Sequence, residues 1–295
     1  MRFVILLIGL CGVASAALLA RYGLDAGLSA TALSAWRLTL GTAGLVLFRL
    51  VFKGDFRLDK WEFWRVVVAG ACLAIHFATW IASLAYTTVA VSTLLVSTSP
   101  LWTGLVGLAI PNLRPRPIFW LGLAVAGVGT ALTAVTRSVP APNGPPWVGY
   151  ALATIGAICV VPYLILSQQV QRRTGTLTTI TWMYGSAAAV IWIFLMVQGS
   201  LPAPATPRAW ISVLGMTLFA QLIGHGLLNH SLKRFSAAQV SAATLLEPVL
   251  AGLLAWMFLA EAVPMLQIVG GLILLLGVAL SLRGDIQARE PLGAE

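Results

Sequence analysis

The chain reads as an all-α membrane protein of ten transmembrane helices arranged as two inverted five-helix repeats, and three observations predict it. Hydrophobic residues fill 59% of 295 positions and charged residues only 9%, a balance that makes lipid the solvent for most side chains. Ten segments are apolar over the length a helix needs to cross hydrocarbon, about twenty residues at 1.5 Å each. The second half then repeats the first, with its basic residues moved to the opposite loops.

The spans fall at 3–20, 29–52, 63–85, 90–110, 118–136, 147–170, 176–197, 209–232, 237–259 and 264–282. The first follows Arg2, and its basic start and Ala14-Ser15-Ala16 also fit a cleaved signal peptide. It is retained because the repeat needs a first helix to pair with the sixth. The second contains Arg37 and ends at Arg49 and Lys53; the third opens behind Arg57, Lys60 and Arg65. Pro100 interrupts the fourth, and Arg114 and Arg116 precede the fifth. The sixth closes on Arg172 and Arg173, and the seventh on the proline-rich stretch 198–207. Lys233 and Arg234 follow the eighth, Pro248 interrupts the ninth, and Arg283 ends the tenth.

With the N-terminus in the cytoplasm, the inner segments hold 14 of the 18 basic residues, the outer loops hold Arg21, Arg137 and Arg208, and Arg37 lies within a span. Lys and Arg resist translocation, so this bias sets the orientation and places both termini inside. The net charge of +9 could suit nucleic acid. Its residues sit in short loops between apolar runs, so they read as topology signals, with the lipid bilayer and no nucleic acid as partner. Cys11, Cys72 and Cys159 lie inside apolar segments without C-x-x-C spacing, which predicts three free, buried thiols. No metal or cofactor is expected.

The organisation predicted is a first repeat over 1–137, an outer linker at 138–146, a second repeat over 147–283 and a cytoplasmic tail at 284–295. Sliding the second half back by 148 positions matches Pro100 and Gly104 to Pro248 and Gly252, and Gly122 and Gly129 to Gly270 and Gly277. An odd number of helices per copy inverts the second copy in the membrane. Inverted repeats suit alternating access around a site near the midplane, although duplication could equally serve to build a stable bundle.

Polar groups inside hydrocarbon are costly and face the bundle interior or a watery cavity. On the third helix His76, Trp80 and Ser83 recur at spacings of four and three, which puts imidazole, indole and hydroxyl on one face. A histidine bonded to a neighbouring helix beside a packed tryptophan fits the same pattern. On the eighth helix Gln221 and His225 share a face, with Asn229 close to it; cavity lining and interhelical hydrogen bonding both fit. Ser97, Thr98 and Ser99 precede Pro100, as Ser241, Thr244 and Glu247 precede Pro248. Each proline frees the carbonyl four residues back, which can bind ligand, bend as a hinge or merely pack.

Glu247 is the only acid deep within a span. Charged and unpaired at a helix centre it would cost about 2.5–3.5 kcal/mol, so it must be protonated, paired or hydrated. Arg37 is the one cation available as its partner, if their depths match. Trp80, Trp102 and Tyr163 lie well inside their spans and could stack on a ring or an ammonium group, as could Trp182 and Tyr184. Trp147 and Trp210 sit at helix ends as interfacial anchors. The residues expected to bind substrate are therefore His76, Trp80, Ser83, Ser99, Trp102, Tyr163, Gln221 and His225, with Pro100, Glu247 and Pro248 as hinge or coupling positions.

Residues 238–252, from Ala238-Gln239-Val240-Ser241 through Glu247-Pro248 to Gly252, followed by Glu261, Gln267 and Gly270, resemble the signature of the EamA-type drug/metabolite transporters. Residues 90–102 resemble the same motif. The resemblance implies a multi-pass protein of the bacterial inner membrane that moves a small-molecule substrate. The segments His76-Phe77-Ala78-Thr79-Trp80 and 97–102 are most similar to members that export aromatic and other neutral amino acids, which implies an amino acid substrate; a monomer is the expected working unit, although the sequence does not set the oligomeric state. Leu113 stands where Glu261 would have its counterpart, so the two halves are not symmetric there.

Other classes lack their parts. No G-x-S-x-G or H-E-x-x-H occurs and no intramembrane aspartate pair, so no catalytic residue and no enzyme is predicted. The phosphate-binding G-x-x-x-x-G-K-[ST] loop of ATP-driven pumps is absent as well. A non-transporting scaffold or lipid-handling protein, or a proton-coupled exporter of another substrate class, remains open to the sequence.

Overall fold

A computed structural model describes residues 2–87, 89–110, 114–134, 144–200, 202–247, 249–250 and 265–283. Among the described residues every regular element is a helix. Seven stretches are long and apolar enough to cross a membrane: Arg2–Asp25, Ala30–Val51, Lys60–Ser83, Val91–Ala109, Pro146–Thr174, Thr176–Val197 and Pro207–Ser231. Pro117–Leu132, Ala237–Leu246 and Ile268–Arg283 are shorter apolar helices. The predicted spans thus coincide with helices, although the ninth beyond residue 250, Pro248, Glu261 and most of the 138–146 linker lie outside the described residues.

Sequence chemistry explains where these helices start, stop and break. The first crossing is two helices, α1 (Arg2–Ala14) and α2 (Ala16–Asp25). Between them the Ser15 hydroxyl donates to the Gly12 carbonyl at 2.7 Å, the local competition for backbone acceptors that bends helices. Ser29 caps α3 (Ala30–Val51) by accepting from the Ala32 amide at 3.1 Å. Asp59 and Glu62 form a capping box at the start of α4 (Lys60–Ser83), satisfying two orphan donors reciprocally. The fourth crossing is broken into α5 (Val89–Val96) and α6 (Ser99–Ala109), with Pro100 in the first turn of α6. A proline there lacks an N–H that would have no helical partner anyway, so it starts a helix where the sequence suggests a kink within one.

The remaining elements are α7 (Pro117–Ala134), α8 (Pro146–Thr174), α9 (Thr176–Val197), α10 (Pro207–Gly215), a π-helix (Met216–His225), α11 (Gly226–Ser231), α12 (Ala237–Ala243) with a 3-10 turn at Thr244–Leu246, and α13 (Met265–Arg283). A ten-residue π-helix is long for a form that usually lasts one turn and that favours functional sites.

Small residues let the helices approach closely. A Cβ built on Gly12 would lie 2.7 Å from the Phe219 carbonyl oxygen and 2.8 Å from the Gly224 Cα, so only glycine permits α1 to lie against the π-helix. The same holds where α7 crosses α13: a Cβ on Gly129 would sit 2.6 Å from the Gly270 oxygen, and one on Gly122 would sit 2.6 Å from the Gly277 oxygen. Small-residue contacts of this kind drive association where lipid removes the hydrophobic incentive. Elsewhere α4 packs on α8 and α9, α3 on α9, and α6 on α12.

The surface around this bundle is apolar, with Phe48, Phe52, Trp64, Leu121, Ile193 and Leu272 all exposed. Such a continuous apolar exterior on an all-helical chain is what lipid requires. The thiols correct the sequence expectation: all three are free, but Cys11 is exposed and Cys72 and Cys159 are half-buried. A thiol is a small weakly polar group that tolerates the lipid side of a span, so hydropathy alone cannot place it inward. At one end, Arg173 bridges Asp59 at 3.3 Å and Glu62 at 3.8 Å and stacks on Trp61 at 5.0 Å. This ties the end of α8 to the start of α4.

Candidate functional site

A cavity of about 60 Å³ opens between α1, α4, α8, the π-helix and the two interrupted helices. At about 10–15 Å³ per water this is room for roughly four to six waters. It is lined by His76, Phe77 and Trp80 of α4, Ser97 and Ser99 at the break between α5 and α6, Tyr163 of α8, His225, Ser241, and Thr244 and Glu247 at the break after α12. Both interrupted helices therefore contribute their irregular turns to the wall. Non-helical backbone at membrane depth is tolerated where it lines a cavity.

Each wall group is held by its own helix and by one neighbour. His76 bonds the Gly156 carbonyl through Nδ1 at 2.8 Å; a carbonyl only accepts, so Nδ1 carries the proton and Nε2 is left as an acceptor. The imidazole stacks over the Trp80 ring, with centroids 6.4 Å apart and planes 9° from parallel. The indole N–H of Trp80 is buried without a hydrogen-bond partner among the described residues, a donor beside the cavity that a ligand acceptor could satisfy. Opposite, Asn229 donates to the Tyr163 hydroxyl and to the His225 carbonyl, and accepts from Ser167 at 2.6 Å. The Tyr163 and His225 rings meet edge-on at 6.3 Å. Ser99 and Ser241, from the two interrupted helices, bond each other at 3.1 Å.

Of the residues singled out in the sequence, His76, Trp80, Ser99, Tyr163, His225 and Glu247 meet on this wall. Ser83 does not reach it: its hydroxyl donates to the Trp80 carbonyl and bonds Ser92, both at 2.6 Å. Trp102 turns its N–H to Thr98 at 3.2 Å, and Pro100 sits one residue from Ser99 in the first turn of α6. Gln221 is committed elsewhere, accepting from Arg37 Nε at 3.1 Å and Nη2 at 2.7 Å. Arg37 is thus engaged by Gln221 and by the face of Phe77, at 4.0 Å from the ring centroid, and not by the acid the sequence offered as its partner. Ser97, Ser241 and Asn229 stand out in the sequence beside the prolines and in the polar stripe but are not among the residues expected to bind substrate, and Phe77 is not among them either. The polar stripe Gln221, His225, Asn229 was the signal for Asn229, and nothing local marked Phe77.

A helical bundle with an apolar exterior, helices interrupted at depth and a polar, aromatic-lined interior cavity defines a multi-pass membrane transport protein. The comparisons with known proteins narrow that class. The model of the EamA-like transporter family matches residues 2–135 and again residues 147–283, and the chain belongs to that family. It is 29% identical over 206 residues to an uncharacterized transporter, YdeK, of Bacillus subtilis (strain 168), an alignment covering 67% of this chain and 68% of that protein. A protein of known crystal structure shares the fold with a TM-score of 0.76 at 20% identity, over 95% of this chain and 97% of the other.

Proposed function

We propose that this transporter exports aromatic and other neutral amino acids across the bacterial inner membrane, by alternating access of the central cavity between two inverted five-helix halves. The observation that carries the substrate reading is the composition of the wall. A carboxyl group, Glu247, offers a partner for an ammonium group, and the stacked His76 and Trp80 offer a surface for a ring. The hydroxyls of Ser97, Ser99, Ser241 and Thr244 add hydrogen-bonding capacity without fixed charge. The present volume suits a few waters and not a whole side chain, so ligand entry on this reading widens the space between the halves.

Several contacts support the inverted repeat. The family model matches once in each half. Gly122 and Gly270 are counterparts 148 positions apart, as are Gly129 and Gly277, and the contacts pair Gly129 with Gly270 and Gly122 with Gly277. Such exchange of partners is the mark of a two-fold relation. Phe77 and His225 are also 148 apart and their rings touch edge-on at 5.1 Å, as residues on the pseudo-axis must. On this reading the α1 contact with the π-helix and the α8 contact with α4 are counterparts, each joining one half to the other.

Flux measurement tests the proposal. Proteoliposomes containing the full chain are loaded with labelled phenylalanine, tryptophan, leucine and glutamate, and efflux is followed with and without a pH gradient. Saturable efflux of the first three supports it; absence of flux for all, with folded protein confirmed, would point to the scaffold or lipid-handling reading. Glu247 on the cavity wall favours a second reading, in which the carboxyl group exchanges a proton with each cycle. In that case Glu247→Gln abolishes the response to the pH gradient.

A further inference from the structure

Arg37 is fully buried, at 0% exposure, with two of its five N–H donors satisfied by a single acceptor, Gln221 Oε1. Among the described residues Arg37 Nη1 and the Gln221 amide nitrogen have no hydrogen-bond partner, and the Tyr184 hydroxyl, which lies beside Gln221, has none either. Two unsatisfied donors, one cationic, therefore sit on joined side chains in the interior of the bundle. Burying a charge is costly unless it is paired, and the cation–π contact with Phe77 offsets only part of that cost. Gly41, one turn along α3, keeps the place open: a Cβ there would lie 3.2 Å from Gln221 Cγ. The arrangement has the donors of an anion site.

The position of Phe77 says where that anion comes from. Phe77 lines the cavity and Arg37 does not; the guanidinium lies on the phenyl ring, 4.0 Å from its centroid. One side chain thus separates a partly unsatisfied cation from the transport cavity. Besides His76 at 5.0 Å, its ring neighbour is His225 at 5.1 Å, on the π-helix that also carries Gln221. A shift of that helix would move the His225 ring against the screen and the Gln221 amide that holds Arg37 together.

We propose that Arg37, with the Gln221 amide, is a carboxylate subsite of the transport cavity, screened by Phe77 in this conformation and uncovered when the ring turns aside. The ligand class is a molecule bearing a carboxylate. That this is the α-carboxylate of an amino acid rests on the function proposed above, with Glu247 facing the ammonium group. Guanidinium and carboxylate match as a planar fork, and charge-assisted bonds of this kind are about twice as strong as neutral ones. Transport would then discriminate acids from their amides and amines at Arg37.

The test uses the full chain in lipid nanodiscs, titrated with L-phenylalanine, phenylalaninamide, phenethylamine and 3-phenylpropionate while tryptophan fluorescence is read. The wild type should bind the two carboxylates at least about tenfold more tightly than the amide and the amine. Arg37→Gln should remove that preference and leave the amide within about twofold of wild type. Phe77→Ala, which lifts the screen and keeps the cation, should raise the preference for the carboxylates over the amide by about threefold or more. Equal wild-type affinities across the series, or a carboxylate preference that survives Arg37→Gln, would overturn the subsite. If Arg37→Gln fails to fold, Phe77→Ala decides, since no gain in that preference overturns it. Arg37-dependent binding of 3-phenylpropionate without flux of any amino acid would keep the subsite and reject the substrate reading. Flux of phenylalanine with discrimination unaltered in Arg37→Gln would do the reverse.

Discussion

Replacing Asn229 with leucine removes the polar tie between the cavity wall and the helix behind it. Asn229 is fully buried and makes two bonds to α8, donating to the Tyr163 hydroxyl and accepting from Ser167, and one within its own helix to the His225 carbonyl. Interhelical hydrogen bonds in bilayers average about 0.6 kcal/mol and reach about 1.7, so the two lost with Asn229 predict a destabilisation of about 1–3 kcal/mol. Tyr163→Phe deletes only one of them and should cost about 0.6–1.7 kcal/mol. In the double variant that shared bond is counted once, so the two changes should couple by a similar amount. The assay is unfolding of wild type, both single variants and the double variant in mixed micelles, followed by tryptophan fluorescence. Additivity within about 0.3 kcal/mol would refute the claim that Asn229 positions Tyr163.

The other predictions concern packing, the wall and the helix ends. Gly129→Val places two methyl groups into the Gly270 and Leu274 backbone and should destabilise by more than the usual 1–3 kcal/mol of overpacking, read as a lower melting temperature in detergent. Trp80→Ala should raise KM for phenylalanine by about tenfold and for alanine by less than about threefold, because only the ring-bearing substrate loses its stacking partner. Asp59→Ala removes a capping-box acceptor and the 3.3 Å contact with Arg173; loss of about 1 kcal/mol in thermal stability is expected, with substrate affinity unchanged.

How much of this was legible in the sequence follows from what hydropathy measures. Apolar runs sense the solvent around a segment, so the helical crossings were visible, and the glycines at 122, 129, 270 and 277 were visible as a repeat. Breaks within a run are set by single hydrogen bonds, and Ser15 donating to Gly12 leaves no hydropathy signal. The π-helix is equally silent, because its apolar composition reads the same as that of an α-helix. Periodicity put Ser83 on the face of His76 and Trp80, but a hydroxyl within reach of its own backbone turned to the Trp80 carbonyl. Depth arguments offered Arg37 as the partner of Glu247, while the fold gave it Gln221 and the Phe77 ring. Composition counts charges in a membrane, and only packing decides which neighbours they meet.

The proposed alternating access requires the cavity to open to each side of the membrane in turn, and two-sided labelling at its wall measures that directly. With Cys11, Cys72 and Cys159 replaced by alanine, Ser97→Cys puts one thiol on the wall between the interrupted helices. Intact cells and inside-out vesicles are then treated with a membrane-impermeant maleimide. The account predicts labelling from both faces, with phenylalanine slowing the reaction from each. Labelling from one face alone under every condition, or from neither, would contradict it.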